Sequence, residues 1–267
     1  MIHAVFIDAD GTLVGPEGVP DCVWPAVEQA RARGLRLVLT TGRLGEGQTL
    51  ALAKKLDPGG CHVFQSGAVI YCDGQVVEAY RLPQTPYHRA VDLARAEAVA
   101  LEAYAAGGGF FAEREARVLQ DHEALLGLQA TKKDLHAVYF AQVVVRAQFV
   151  VEEARWPALR PEVLGLGLDL HEATSPKTLG VIYASLTAPG VGKRAAAEAV
   201  LKRLGLTFNE SAAIGDGKND LELLRAVRLG IAMANAPEEV KAAADWVAPP
   251  PEACGLVAAL KKVLEAV

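Results

Sequence analysis

Two aspartates separated by one residue occur near the start of the chain, in the segment Asp8-Ala9-Asp10-Gly11-Thr12. Carboxylates at this spacing can both face one pocket, where one acts as a nucleophile and the other as an acid and base. A metal beside Asp8 would keep that carboxylate ionised, and Gly11 would let the chain turn with its amides free to bind phosphate. The segment would also suit an ordinary polar turn after a strand.

A second acidic segment lies in the last fifth of the chain, Gly215-Asp216-Gly217-Lys218-Asn219-Asp220. Hard carboxylate oxygens from Asp216 and Asp220 suit magnesium, which keeps several waters and takes one or two protein carboxylates. A helix cap formed by Asn219 or Asp220 is the structural alternative for this segment.

Two further positions could bind a phosphoryl group. The hydroxyl of Thr41 and the amide of Gly42 follow an apolar run and can hold a phosphoryl oxygen. Lys193, close after Gly190 and Gly192, could neutralise phosphate and hold Asp8. A plain strand-to-helix turn and a surface lysine are the alternatives. Arg43 could touch substrate or pair with a nearby carboxylate.

The flanks of the chain alternate short apolar runs with segments of helical spacing. The predicted strands are Val5–Ile7, Leu35–Thr40, Cys61–Gln65, Val69–Tyr71, Val76–Tyr80, Ala212–Ile214, Gly230–Met233 and Trp246–Val247. The principal predicted helices are Pro20–Arg33, Leu50–Leu56, Lys193–Leu204 and Leu221–Val227. This order indicates an α/β fold with a doubly wound parallel sheet, in which ligands bind beyond the carboxyl ends of strands. Asp8, Thr41 and Asp216 each follow a predicted strand, so we expect them on one rim.

The middle of the chain differs in pattern and reads as an insertion. Its predicted elements are helices Tyr87–Ala106 and Gln148–Trp156 and strands Val138–Val145, Val163–Leu170 and Tyr183–Leu186. We therefore expect residues 1–82 and 188–267 to form a core domain, and 83–187 an inserted α+β domain, with hinges near Leu82–Pro86 and Ala188–Gly192. Several polar residues of the insertion belong to no motif and are expected on solvated surface: Glu113, Arg114, Arg117, His122, His136 and His171.

Taken in order, these motifs resemble the haloacid dehalogenase (HAD) superfamily of phosphatases, in particular its Cof-like branch with a large C2-type cap. Supporting segments are Ser66-Gly67-Ala68, the run from Gly230 to Ala236, and Ala244-Asp245. The family commonly has Asn-Gly-Ala where this chain has Ser66-Gly67-Ala68. The resemblance implies a HAD-like core and a cap that determines substrate specificity.

The resemblance also implies residue roles. Asp8 would attack phosphorus and become an aspartyl phosphate, and Asp10 would protonate the leaving oxygen and then activate water. The groups implied to hold phosphoryl oxygens are Thr41, Gly42 and Lys193, with Asn219 beside them. The resemblance implies that Asp8, the carbonyl oxygen of Asp10 and Asp216 bind Mg²⁺. It implies that Asp220 supports the site without binding the ion directly. The expected enzyme is a phosphoric monoester hydrolase acting on a small phosphorylated metabolite such as a sugar phosphate.

Two other functions remain open at this point. A phosphomutase or phosphotransferase would use the same aspartyl phosphate and differ only in the acceptor. A non-catalytic phosphate-binding module would have no use for the second acid at Asp10.

Composition limits the remaining possibilities. The chain has 267 residues, of which 51% are apolar, and a formal net charge of −5. The acidic balance disfavours nucleic acid or an anionic membrane as partner, and no obligate protein partner is evident. No signal-like or membrane-spanning apolar segment is evident, so we expect a cytoplasmic location. Cys22, Cys61, Cys72 and Cys254 show no C-x-x-C pairing and are expected to be buried thiols in a reducing cytosol.

Overall fold

The computed structural model describes residues 1–175 and 178–266 and divides the chain into two compact units. The first unit consists of Met1–Val77 and Gly192–Val267, and the second of Glu78–Val191. The strands are β1 Ala4–Asp8, β2 Arg36–Thr40, β3 Cys61–Phe64, β4 Val69–Cys72, β5 Gln75–Ala79, β6 Ala100–Ala105, β7 Phe110–Ala112, β8 Thr131–Lys132, β9 Val144–Glu152, β10 Asp169–Ser175, β11 Thr178–Thr187, β12 Ser211–Gly215, β13 Leu229–Met233 and β14 Trp246–Ala248. The helices are α1 Val23–Ala32, α2 Gly47–Leu56, α3 Gln84–Ala96, α4 Arg117–Leu126, α5 Leu135–Ala141, α6 Trp156–Leu164, α7 Lys193–Leu204, α8 Leu221–Ala226, α9 Glu238–Lys241 and α10 Gly255–Leu264.

The first unit is built on a sheet whose described strands run in the order β14-β13-β12-β1-β2-β3-β4-β5. The pairs from β14 to β3 are parallel, and β3 then pairs antiparallel with β4. The central strand β1 is buried along its whole length, as expected for a parallel strand covered on both faces. The predicted α/β fold with a parallel sheet is confirmed, with β4 as an antiparallel strand and β5 beyond it at one edge.

Two disulfides lie in the first unit, and they leave no free cysteine among the described residues. Cys22 precedes α1 and Cys254 precedes α10, so their bond joins the starts of two helices that pack together. Cys61 and Cys72 are directly paired across the antiparallel strands β3 and β4, which brings their side chains onto one face. The prediction of reduced thiols is therefore wrong, because tertiary pairing joins cysteines that share no local spacing motif.

The second unit is a six-stranded sheet, in the order β10-β11-β9-β6-β7-β8 over the described residues, packed by helices. Ala147, Phe149 and Val151 of β9 belong to a core that includes residues of α3, α5 and α6. Val150, which alternates with them along the strand, packs in a smaller cluster beside α4 residues such as Val118. The expected mixed α+β character of this segment is present.

Several sequence-predicted elements of the second unit are wrong. The Ala-rich helix predicted for Tyr87–Ala106 ends at Ala96, and residues 100–105 form the inner strand β6. The strand predicted at Val138–Val145 begins as the helix α5, and the helix predicted at Gln148–Trp156 is largely the strand β9. The strand predicted at Val163–Leu170 begins in α6. Here sheet pairing with neighbours distant in sequence overrides local propensity.

A buried polar network corrects the assignment of His122 to solvated surface. The Glu102 carboxylate is fully buried and lies 2.7 Å from His122 Nδ1. It also accepts hydrogen bonds from Tyr104 Oη at 2.6 Å and Gln148 Nε2 at 2.9 Å. Ser185 donates to Gln148 Oε1 at 2.6 Å and extends the network to a third strand. Shared hydrogen bonds offset the cost of burying these groups.

None of the helices in the described ranges is long and apolar enough to cross a membrane.

Candidate active site

The strand register brings three predicted site positions to one edge of the sheet. Asp8, the last residue of β1, is paired with Thr40, the last residue of β2. Thr41 therefore follows the residue that lies beside Asp8 in the sheet. On the other side Ile7 is paired with Ile214, and β12 ends at the next residue, Gly215, which Asp216 follows. The carboxyl ends of parallel strands thereby gather segments that are about 30 to 200 residues apart in sequence.

Three carboxylates form a cluster at this edge. One oxygen each from Asp8, Asp216 and Asp220 lies within 4.8 Å of the others. Burial raises the pKa of Asp8 well above its usual value, with further increases from the Asp220 and Asp216 charges. Burial and the Asp220 charge raise the pKa of Asp216 to about 6. Crowded, partly desolvated carboxylate oxygens form the donor set that a hard divalent cation prefers, so these residues fit Mg²⁺.

Lys193 supplies the positive charge inside this cluster. Its ammonium donates to Asp8 Oδ1 at 2.5 Å and to Asp220 Oδ1 at 2.7 Å, and the residue is 2% exposed. Burial lowers the pKa of Lys193, but the charges and hydrogen bonds of both aspartates outweigh it and the pKa is raised overall. The lysine is therefore held charged beside Asp8. The surface-lysine alternative does not apply to this residue.

Asp10 is exposed and pairs with Arg43. Arg43 Nε donates to Asp10 Oδ2 at 2.9 Å, and Arg43 Nη2 donates to Asp10 Oδ1. Burial lowers the pKa of Arg43, but the hydrogen bonds that Arg43 donates to Asp10 and the charges of Asp10 and Asp8 raise it overall. Of the two roles left open for Arg43 by the sequence, pairing with a carboxylate is the one observed.

A strained turn supports the loop that carries Thr41. Gln65, Ser66 and Gly67 all have positive φ, at 53°, 58° and 105°, a region that side chains other than Asn or Gly rarely adopt. Ser66 N donates to the Thr41 carbonyl at 3.0 Å, and Gln65 N donates to the Arg43 carbonyl at 3.0 Å. The strain thus coincides with hydrogen bonds that fix the Thr41–Arg43 loop.

Two contacts to Asp216 were missed by sequence reasoning. Thr12 Oγ1 donates to Asp216 Oδ1 at 3.2 Å, and Asn235 Nδ2 donates to Asp216 Oδ2 at 2.8 Å. Asn235 also donates to the Gly11 carbonyl at 3.1 Å, which joins the first acidic loop to the second. Both residues lie inside segments noted for the family resemblance, which was the available signal.

The predicted phosphate ligands Thr41 and Asn219 differ in burial and in their contacts. Thr41 is fully buried, and its Oγ1 accepts the Arg43 N–H at 3.1 Å, which leaves its hydroxyl hydrogen available to an added oxygen. Gly42 adjoins it. Asn219, in contrast, is exposed, and its side chain lies over Gly217. Its role as a phosphate ligand stays a prediction.

Comparison with known proteins gives the same family at the level of sequence and fold. A family model for haloacid dehalogenase-like hydrolases matches residues 5–260. Phosphoglycolate phosphatase of Archaeoglobus fulgidus is 36% identical over 121 residues, covering 45% of this chain and 49% of that protein. Phosphoglycolate phosphatase of Methanoculleus marisnigri is 33% identical over 156 residues, covering 56% and 59%. The aligned regions therefore span about half the length of these curated relatives.

A solved structure agrees over nearly the whole chain. BT1666 of Bacteroides thetaiotaomicron, described among the phosphatases of the HAD superfamily, superimposes with a TM-score of 0.82 at 23% identity. The superposition covers 98% of this chain and 95% of that one. At this identity the likeness concerns the fold.

Proposed function

Because this chain belongs to the family of haloacid dehalogenase-like hydrolases, we propose that it is a Mg²⁺-dependent phosphatase that hydrolyses a small phosphorylated metabolite through an aspartyl phosphate. The observation that carries the proposal is the buried contact of Lys193 with Asp8 inside the Asp8, Asp216 and Asp220 cluster. A carboxylate nucleophile beside a fixed cation suits attack on a phosphorus atom surrounded by anionic oxygens.

In the first step, an oxygen of Asp8 forms a bond to phosphorus while the bond from phosphorus to the leaving oxygen breaks. Lys193 keeps Asp8 oriented and offsets charge on the phosphoryl oxygens. The hydroxyl of Thr41 and the amide of Gly42 donate to those oxygens. These groups are held before substrate arrives, so little reorganisation is needed in the transition state.

Asp10 handles the proton in both steps. It gives a proton to the leaving oxygen, so that no bare alkoxide is expelled. In the second step it accepts a proton from the water that attacks the phosphorus of aspartyl phosphate, and Asp8 is regenerated with inorganic phosphate as product. The position of Asp10 two residues after the nucleophile lets both side chains serve one phosphoryl group.

Mg²⁺ would be held by Asp8, Asp216 and the carbonyl oxygen of Asp10, with Asp220 alongside. When bound, it supplies positive charge that offsets the anionic oxygens of the phosphoryl group. The residues themselves support this assignment, since Asp216 is oriented by Thr12 and Asn235 before any cation enters. Such supporting hydrogen bonds fix the direction of a ligand oxygen.

We assign substrate selection to the second unit, Glu78–Val191, which corresponds to the inserted cap expected at 83–187. The assignment is supported by the place of this unit in the chain, as an insertion between the segments that carry Thr41 and Lys193. The substrate class we favour is a small acidic or sugar-like phosphate ester. The named phosphoglycolate phosphatases among the relatives support the acidic alternative.

The experiment is phosphate release from a panel of phosphorylated metabolites, with and without Mg²⁺, using the purified full chain. The panel should contain phosphoglycolate, hexose phosphates and nucleoside monophosphates. We expect Mg²⁺-dependent release from at least one small ester. The absence of release above background across the panel would contradict the proposal, and transfer of phosphate to an added sugar instead of water would redefine the enzyme as a phosphotransferase.

A further inference from the structure

Arg43 holds both carboxylate oxygens of Asp10. Arg43 Nε donates to Oδ2 at 2.9 Å, and Nη2 donates to Oδ1. The Asp10 side chain is 62% exposed, and among the described residues it has no other hydrogen-bond partner. Without the arginine, no side-chain hydrogen bond among the described residues would hold this carboxylate in place. The two parallel hydrogen bonds fix both its position and its plane, which a single donor cannot do.

Arg43 is itself anchored, as a positioning residue must be. Its N–H donates to Thr41 Oγ1 at 3.1 Å, and its carbonyl accepts from Gln65 N at 3.0 Å. Thr41 and Gln65 are both almost fully buried. The arginine therefore extends from a backbone held on both sides by the same elements that carry a candidate phosphate ligand.

We propose that Arg43 is the positioning residue that aims Asp10 at the leaving oxygen; this rests on the proposed function, in which Asp10 transfers that proton. The competing assignments are a surface ion pair without consequence and direct binding of the substrate phosphoryl group by Arg43. Exposed ion pairs contribute little to stability, so folding alone gives no reason for this geometry. The hydrogen bond from Arg43 N–H to Thr41 Oγ1, on a predicted phosphate ligand, gives a functional reason for this geometry.

The proposed role of Arg43 predicts that the effect of its loss on the reaction rate depends on the leaving group. In the first step, a residue that acts through Asp10 matters only as far as the leaving group needs a proton, whereas the second step, in which Asp10 activates water, is the same for both esters. Nitrophenolate departs without protonation, whereas an alkyl leaving group requires it. Loss of Arg43 should therefore reproduce the leaving-group preference caused by loss of Asp10, and should leave KM for both esters nearly unchanged.

The test compares KM and the single-turnover rate of leaving-group release for Arg43→Gln, Arg43→Lys and Asp10→Asn, on an alkyl phosphate and on p-nitrophenyl phosphate at saturating Mg²⁺. We expect Arg43→Gln to lower this first-step rate on the alkyl ester by about 10- to 100-fold and on the nitrophenyl ester by much less. Arg43→Lys, with one point of attachment, should lie between Arg43→Gln and wild type. Arg36→Gln is the matched control, since Arg36 is exposed at the opposite end of β2.

A double variant completes the test. Arg43→Gln should add no further loss to Asp10→Asn if the arginine works through the aspartate. Equal losses on both esters with a raised KM would overturn the proposal in favour of phosphoryl binding, and unchanged kinetics would reduce the pair to a surface contact. A wild-type protein that hydrolyses neither ester would overturn the proposed function and this role together, whereas a selective loss in Asp10→Asn alone would overturn only the role of Arg43.

Discussion

A Cβ atom at Gly67 would lie 2.4 Å from the carbonyl oxygen of Gly192, the residue that precedes Lys193. Two loops separated by more than a hundred residues therefore touch through a glycine that has no room for a side chain. Gly67 ends the strained turn that also supports Thr41 through Ser66. The turn thus connects the loop of Thr41 with the start of the helix that carries Lys193.

Gly67→Ala should destabilise the first unit and lower activity. The new methyl group would collide with the Gly192 backbone, and the φ of +105° would be strained for alanine. We expect a loss of about 2–4 kcal/mol in the free energy of unfolding, measured by urea denaturation. Gly74→Ala is the control, because its φ is also positive, at +86°, but its Cβ would meet nothing within 4 Å. Similar losses in the two variants would show that the contact with Gly192 is unimportant.

The disulfide between Cys22 and Cys254 should contribute more to stability than the one between Cys61 and Cys72. The first joins residues 232 positions apart and the second 11 positions apart, so the first restricts the unfolded chain more. Replacing both cysteines of the first pair by alanine should cost about 2–4 kcal/mol in urea denaturation. Replacing the second pair serves as the comparison. An equal or larger loss for the second pair would contradict this ranking.

Stability of the first unit should fall as the pH drops below the usual His pKa of 6.5, owing to His62. Burial lowers the pKa of His62, whose Nδ1 accepts from Leu39 N at 3.2 Å and whose Nε2 donates to the Asp57 carbonyl at 3.0 Å. The unfolded chain then binds the proton more readily than the folded one, so acid favours unfolding. Wild type should lose about 1 kcal/mol more than His62→Gln between neutral and mildly acidic pH, by urea denaturation. Parallel losses would mean that His62 binds its proton equally well in the folded and the unfolded chain.

Mg²⁺ should stabilise the protein through the carboxylate cluster. A cation that binds only the folded state adds about 2.7 kcal/mol at a hundredfold excess over its Kd. We expect Mg²⁺ to raise the midpoint of thermal unfolding in wild type and to have little effect in Asp216→Asn. Asp21→Asn, at an exposed aspartate outside the cluster, should respond as wild type does. A full stabilisation of Asp216→Asn by Mg²⁺ would show that the cation binds at a site other than this cluster.

The flanking segments were predictable from sequence because each strand, loop and helix follows the local pattern of apolar residues. Asp8 and Asp216 could be assigned to one rim since the carboxyl ends of parallel strands share an edge. The inserted segment was not predictable in the same way. Residues 100–105 are rich in alanine and read as helix, yet they pair with β9 in an inner strand.

The contacts between loops were also beyond sequence reasoning. Arg43 could be expected to meet a carboxylate, but the choice of Asp10 depends on the paths of two loops that diverge from neighbouring strands. Asn235 contacts Asp216 for the same reason. The disulfides likewise depend on helix and strand packing, which a spacing rule for cysteines does not contain.

The central claim is that Asp8 becomes covalently phosphorylated, and mass spectrometry of acid-quenched protein tests it most directly. After brief reaction with Mg²⁺ and a hydrolysed ester, the peptide containing Asp8 should gain the mass of one phosphoryl group. Asp8→Asn, which keeps the side-chain volume but removes the nucleophile, should show neither the adduct nor turnover. Turnover in Asp8→Asn within about tenfold of wild type, or an adduct on another residue, would contradict the account.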